Sequence, residues 1–261
     1  MSATFARLGR FHLALVMVFV LGPAAIVAID SFNTATSFPS PFEGFTWRWY
    51  AAAVARSEFR DAALNSAGVA LAAATLASVA AFPAAYAIAR AAWRGSPVIA
   101  AFFVAPILMP EIVLGLTILQ LAGMANLPLG FTTLVATHAL FVMPFVFRLV
   151  LAAFRRFDFG LEDAARSLGG GRFAAIRLIV LPLVRASLVA GFTLAAVMSF
   201  VNLPISMFLT SPQTATLPVA MYAYMESRID PMIAAVATLV VVLAAATTLF
   251  IDGVLRIRLI G

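Results

Sequence analysis

Six apolar runs, each near the length of a membrane crossing, constrain this chain more than any other feature. A helix needs about 20 mostly apolar residues to cross a hydrocarbon core about 30 Å thick. The runs are His12–Ile29, Leu64–Ala89, Val98–Ala122, Phe131–Ala153, Leu183–Leu209 and Pro231–Ile251. Hydrophobic residues make up 64% of the 261 residues and charged residues only 11%. A chain of this size has too little core volume to hide that much apolar surface from water. Composition therefore excludes an ordinary soluble enzyme, a disordered chain and a disulfide scaffold. The expected fold is all-α: a polytopic membrane protein with six transmembrane helices forming a single domain over 1–261.

Charge then sets the orientation. All 17 basic residues are Arg, and the chain has neither Lys nor Cys. Without Lys it cannot hydrolyse ATP through a P-loop or form a Schiff base, and without Cys it has no thiolate chemistry. Thirteen Arg fall on one side of the six runs: Arg7, Arg10, Arg90, Arg94, Arg256, Arg258 and seven in or beside the segment between runs four and five. Only Arg48, Arg56, Arg60 and Arg228 fall on the other. The positive-inside rule makes the Arg-rich side cytoplasmic, with both termini inside. The competing reading of run one is a secretory signal peptide. It is disfavoured because the run is long for a signal core and no clean small-x-small site follows.

Two loops stand out. The outer stretch from Asp30 to Asp61 carries Pro39, Pro41, Gly44, Trp47, Trp49 and Tyr50, a composition suited to the headgroup interface. Trp49 to Arg60 is expected to form a short surface helix. The segment from Phe154 to Pro182 breaks the apolar pattern with charge. Asp158 is placed to cap a helix, and Glu162 and Asp163 in its first turns complement the helix dipole. Leu161, Ala164, Ala165 and Leu168 recur at helical spacing and make one apolar face. Gly169, Gly170 and Gly171 end the helix, and a second helical stretch runs from Arg172 to Leu181. Pro182 marks the start of span five. A face built on Ala, with charges of both signs opposite, fits close approach of another protein better than a bilayer surface.

This segment resembles the EAA loop of bacterial ABC importer permeases. The pattern reads Asp163-Ala164-Ala165, Gly169, then Ile179-Val180-Leu181-Pro182, with Asp in place of the commoner Glu. Thr46 to Tyr50, Asn65-Ser66 and Pro83 to Ala87 also look like family segments around span two. Ser199 to Thr210, followed by Leu217-Pro218, is similar to the C-type permease of spermidine/putrescine importers. The resemblance implies a type I ABC importer permease (binding-protein-dependent, MetI-like) fold. It also implies that Leu161, Glu162, Asp163, Ala164, Ala165, Leu168, Gly169, Ile179, Leu181 and Pro182 couple the chain to an ATPase. The partners implied are a second permease subunit, two ATP-binding cassette subunits that hold ATP and Mg, and a periplasmic solute-binding protein. The chain is then a non-catalytic subunit in the bacterial inner membrane. It binds no cofactor or metal itself, and no nucleic acid.

Three polar side chains inside the runs are candidate pathway residues. Glu111 follows Pro110 in span three, where an ionisable group is expensive and normally faces a bundle interior or water cavity. Pro106 and Pro110 free backbone carbonyls nearby. His138 in span four has no His or Cys cluster around it, which favours an interhelical hydrogen bond. Asn202 joins Ser199 and Ser206 in a polar stripe on span five. Val201 and Asn202 stand where polyamine-type permeases often carry acids, which weakens the case for a polyvalent cation. A polyamine or related amine leads as substrate. Aminoalkyl-phosphonates, opines, ferric iron and other oxyanions are the alternatives. Two other functional classes predict different features. A stand-alone ion-coupled transporter would show internal repeats and broken helices, and a membrane-embedded enzyme would need paired carboxylates or a nucleophile at membrane depth.

Overall fold

The computed structural model describes residues 3–37, 41–91 and 93–255. Pro39, Arg256 and Arg258, with the side chain of Arg7, lie outside the described part. Among the described residues the chain is helical apart from turns and one isolated bridge between Asn33 and Phe45. The helices are α1 (Ala3–Asp30), α2 (Arg48–Ala55), α3 (Ser57–Ala91), α4 (Ser96–Val104), α5 (Glu111–Met124) and α6 (Phe131–Phe154). They continue as α7 (Gly160–Ser167), α8 (Arg172–Ala175), α9 (Leu181–Phe200), α10 (Ser206–Leu209), α11 (Leu217–Ser227) and α12 (Met232–Leu255). Five helical stretches are long and apolar enough to cross a membrane: Gly9–Asp30, Ser57–Ala91, Phe131–Phe154, Arg172–Phe200 and Met232–Ile251. The pair Ser96–Leu108 and Glu111–Met124 makes a sixth if it is one bent span.

That pair divides the third run, Val98–Ala122, which was expected as one transmembrane helix. Pro106 and Pro110 lack N–H groups, so the helical ladder fails twice within five residues. Residues Ala105–Leu108 tighten into a 3₁₀ turn, and the chain bends by 101° before α5. The fifth run is corrected at both ends. Its helix starts at Arg172 and stops at Phe200, rather than spanning Leu183 to Leu209. At the start, Ile176–Val180 is a π turn in which the Leu181 N–H bonds the Ile176 carbonyl five residues back. The helix therefore runs through Pro182 rather than beginning there, because a π turn absorbs the bond that Pro cannot make. At the other end, the Asn202 Oδ1 accepts the Ile205 N–H at 2.9 Å and holds a turn. Pro204 then prevents the helix from resuming until Ser206. The expected surface helix over Trp49 to Arg60 is broken at Arg56, whose extended backbone separates α2 from α3.

The chain forms two compact units, Met1–Arg60 with Met221–Thr247, and Asp61–Ala220 with Thr248–Gly261. In the first, Asn33 organises the turn after α1. Its Oδ1 accepts the Glu43 and Ala35 N–H groups, its Nδ2 donates to Pro41 and Asp30, and its carbonyl accepts the Trp49 Nε1–H. Phe32, Phe45, Trp47 and Tyr50 pack ring on ring beside it. Elsewhere in this unit, the Arg56 guanidinium lies 4.9 Å above the Tyr224 ring, and the Tyr224 hydroxyl donates to Asp230 at 2.6 Å. Burial, helped by that bond, raises the Tyr224 phenol above its ordinary range.

The second unit is built around α6. Its Leu134, Val142, Val146, Phe147 and Val150 are fully buried. The small residues Ala70, Ala74, Ala77, Ala81 and Ala85 recur along one face of α3 and are buried as well. Small residues permit the close backbone approach that membrane helices use in place of a hydrophobic drive.

Candidate functional site

Two constellations in the second unit bring the sequence-predicted residues together. The first surrounds α7. Asp158 Oδ1 accepts the Gly160 N–H at 2.9 Å, which fixes the start of the helix, although the residue in the capping position is Phe159. The end is a two-bond glycine cap. The Gly170 N–H bonds the Ala165 carbonyl and the Gly169 N–H bonds the Arg166 carbonyl, both at 3.1 Å. Gly169 takes φ +93, a left-handed conformation that other residues adopt at a cost. A helix this short and polar needs such ends, because it gains little from packing.

Burial along α7 runs opposite to polarity. Leu161, Ala164 and Leu168 are exposed, with Leu168 at 90%, and Ala165 is half-buried. The one buried residue of the helix is an acid, Glu162, at 1%. Its Oε1 accepts the Tyr86 hydroxyl at 2.7 Å. Its Oε2 makes no hydrogen bond and lies 3.8 Å from the Arg90 Nε. Arg90 also pairs with Asp163 through its NH2 group, and its guanidinium sits 5.2 Å over the Phe159 ring. Arg172 lies 6.0 Å over Tyr86. A cleft of about 470 Å³ opens beside this cluster, lined by Asp163, Arg166, Ser167, Gly170, Gly171 and Arg172. Ile179, Leu181 and Pro182 lie in or just after the π turn, which packs against α7.

Sequence reasoning assigned Glu162 to the helix dipole and to the coupling segment, and missed Tyr86 and Arg90 as its partners. The available indication was their spacing. Residues four apart on a helix share a face, and an aromatic hydroxyl and a cation share one at the end of span two.

The second constellation joins the two helix breaks. The Asn202 Nδ2 donates to Glu111 Oε2 at 2.6 Å. The Ser206 hydroxyl donates to the Asn202 carbonyl at 2.7 Å and lies 3.2 Å from His138 Nε2. His138 Nδ1 lies 2.8 Å from the Ser199 hydroxyl. Since the Ser206 proton is used on Asn202, its oxygen accepts from Nε2–H, and Ser199 donates to Nδ1. Glu111, Asn202, Ser206, His138 and Ser199 thus form one hydrogen-bonded chain. His138 and Ser206 are wholly buried, Ser199 and Asn202 nearly so, and Glu111 is half-buried. Gly115 lets α5 lie against the second break, where a Cβ would meet Phe208 at 2.9 Å and the Ile205 backbone at 3.3 Å. Among the described residues no group of three or more His, Cys, Asp or Glu is placed to hold a metal ion.

Known proteins resemble this chain in sequence, and a solved structure resembles it in fold. The spermidine/putrescine transport system permease protein PotC of Escherichia coli (strain K12) is 31% identical over 222 residues, covering 85% of this chain and 84% of that protein. The putrescine transport system permease protein PotI of the same strain is 29% identical over 235 residues, 87% of this chain and 83% of that one. A probable molybdenum ABC transporter permease protein of Haloferax volcanii is 31% identical over 193 residues, 69% and 71% of the two chains. A crystal structure of a bacterial ABC transporter involved in the import of the acidic polysaccharide alginate superposes with a TM-score of 0.68. It covers 98% of both chains at 14% identity, which speaks to the fold. Residues 73–257, which hold both constellations, match the family described as the binding-protein-dependent transport system inner membrane component. With that match over most of its length and relatives of this similarity, the chain belongs to the binding-protein-dependent inner-membrane components, the permease subunits of ABC importers.

Proposed function

We propose that this permease passes a small amine, a polyamine first among them, across the cytoplasmic membrane in an ATP-driven complex. Two cassette subunits bind ATP and Mg and carry out the hydrolysis, a second permease completes the pathway, and a periplasmic binding protein delivers the solute. The Arg-rich side, with α7 and both termini, is cytoplasmic. The observation that carries the reading is the exposed face of α7. Leu161, Ala164 and Leu168 face outward on a helix capped at both ends and anchored from behind by Glu162. A cassette that seats on this face moves the helix when ATP closes the cassette dimer. Glu162, Asp163, Ala165 and Gly169 hold the helix in shape, and Ile179, Leu181 and Pro182 carry it into span five. Chemistry on ATP stays with the cassettes; this chain converts their closure into altered access.

Two features support the amine. The relatives PotC and PotI are named for spermidine and putrescine or for putrescine. Glu111 is the acidic, partly accessible member of the buried polar chain. The Haloferax relative is named for molybdenum, so the oxyanion is the competitor to test. Solute-dependent ATPase of the reconstituted complex, assayed with putrescine, spermidine and molybdate, separates the two. Stimulation by the amines supports the reading, and stimulation by molybdate alone ends it. Broken helices at Pro110 and Val201 would by themselves fit a stand-alone ion-coupled transporter. Here they sit in a chain whose family works with ATPases.

A further inference from the structure

Helix α3 is fastened by polar groups near both ends of its membrane stretch. At one end the Asn65 Nδ2 donates to the carbonyls of Gln213 and Ala215, each at 3.1 Å. Next to it, the Ser66 hydroxyl accepts the Leu217 N–H at 2.8 Å. These bonds reach across about 150 residues of sequence to the loop before α11. At the other end Tyr86 and Arg90 hold Glu162 and Asp163 of α7. Between the two fastenings the buried face is the alanine stripe, which lets α3 lie close along its neighbours. Asn65 and Tyr86 are 21 residues apart, about 32 Å at 1.5 Å per residue, close to the thickness of a hydrocarbon core. Pro83 removes one ladder bond, yet the helix continues through it to Ala91.

We propose that α3 is a connecting rod that carries displacement of α7 to the loop Ser211–Leu217 at the opposite end of the helix. The fastening at α7 is built to transmit force. Glu162 is buried, and separating it from Tyr86 and Arg90 would leave a carboxylate without partners in a site water does not reach, a penalty larger than the gain from pairing it. Helix and acid therefore move together. At the far end, two donors from one Asn and an acceptor from Ser66 grip backbone atoms rather than side chains, so the loop itself is pulled. Tyr86, Arg90 and Asn65 are positioning residues: they act through α7 and the loop, not on solute. The inference rests on the docking role proposed for α7.

The test uses the whole importer, with its cassettes and binding protein, in proteoliposomes. Because this chain has no Cys, Gln213→Cys and Thr132→Cys give it two label sites, one on the loop and one at the start of α6, in a complex assembled with Cys-free partner subunits. Trapping ATP with vanadate should change the inter-label distance by about 3 Å or more in the parent. Y86F, E162Q and N65A should each abolish that change and lower uptake about tenfold, while the cassettes still copurify. The pair Y86F/N65A should be no worse than either alone, as expected for links in series. A parent distance that ignores ATP overturns the rod. So do variants that keep the shift, or a pair whose defects multiply. L168R distinguishes the underlying reading, because it should lose the cassettes outright. If L168R keeps both cassettes and uptake, docking through α7 fails, and the rod fails with it.

Discussion

At the scale of single residues, Glu111 and His138 make separable predictions. Glu111 is the carboxylate of the buried chain, and its Oε2 accepts from the Asn202 amide. Gln at this position keeps the shape and removes the charge. E111Q is expected to lower uptake of a cationic amine about tenfold, the equivalent of 1.4 kcal/mol, without loss of copurified cassettes. Proteoliposome uptake of labelled putrescine checks this, and unchanged uptake would reduce Glu111 to packing. His138 sits deeper and bridges Ser199 to Ser206. H138A takes the acceptor from the buried Ser199 hydroxyl, while Ser206 keeps its bond to the Asn202 carbonyl, and should destabilise the protein by about 1–3 kcal/mol. The fall should appear as a lower melting temperature in detergent, with little change in solute preference. The sequence placed all three polar residues in spans but not in one network. Glu111, His138 and Asn202 are up to 91 residues apart, and only the meeting of two helix breaks brings them together.

At the scale of elements, the cap of α7 is the most exposed to substitution. Gly169 at φ +93 has open space around it, so a larger side chain meets strain rather than collision. G169V should therefore cost about 1–2 kcal/mol of local helix stability, and cassette copurification should fall while membrane insertion is unchanged. Survival of both copurification and ATPase stimulation would show that the helix end plays no part in docking. Four of the six runs were readable as single helices, because length and hydropathy decide a straight span, although α3 begins at Ser57, well before run two. Runs three and five were not, because a break inside an apolar run leaves composition unchanged. Pro106 and Pro110 did announce freed carbonyls, but not a bend of 101°. The break at Val201 had its cause in Asn202 and Pro204, whose local hydrogen bonding is hidden among apolar neighbours. The inward turn of Glu162 depended on Tyr86, 76 residues earlier, and no local pattern encodes that contact.

At the scale of the molecule, the distribution of Arg makes a topological prediction. Single-cysteine variants at Gln213 and at Leu168 should react with a membrane-impermeant maleimide from opposite sides. Gln213 should label in intact cells and Leu168 only in inverted vesicles. The reverse pattern would invert the chain and remove α7 from the ATP side. The absence of Lys from the whole sequence acquires its meaning here. The chain lacks the residue a P-loop requires, and it belongs to a family of membrane components whose energy is proposed to come from another subunit.

The decisive measurement is uptake of an amine into proteoliposomes, comparing the purified chain alone with the complete complex. The complex should transport only with ATP and the binding protein present, and should lose transport with L168R. The chain alone should neither hydrolyse ATP nor accumulate solute under an imposed proton or sodium gradient. Gradient-driven uptake by the chain alone would contradict the proposed mechanism.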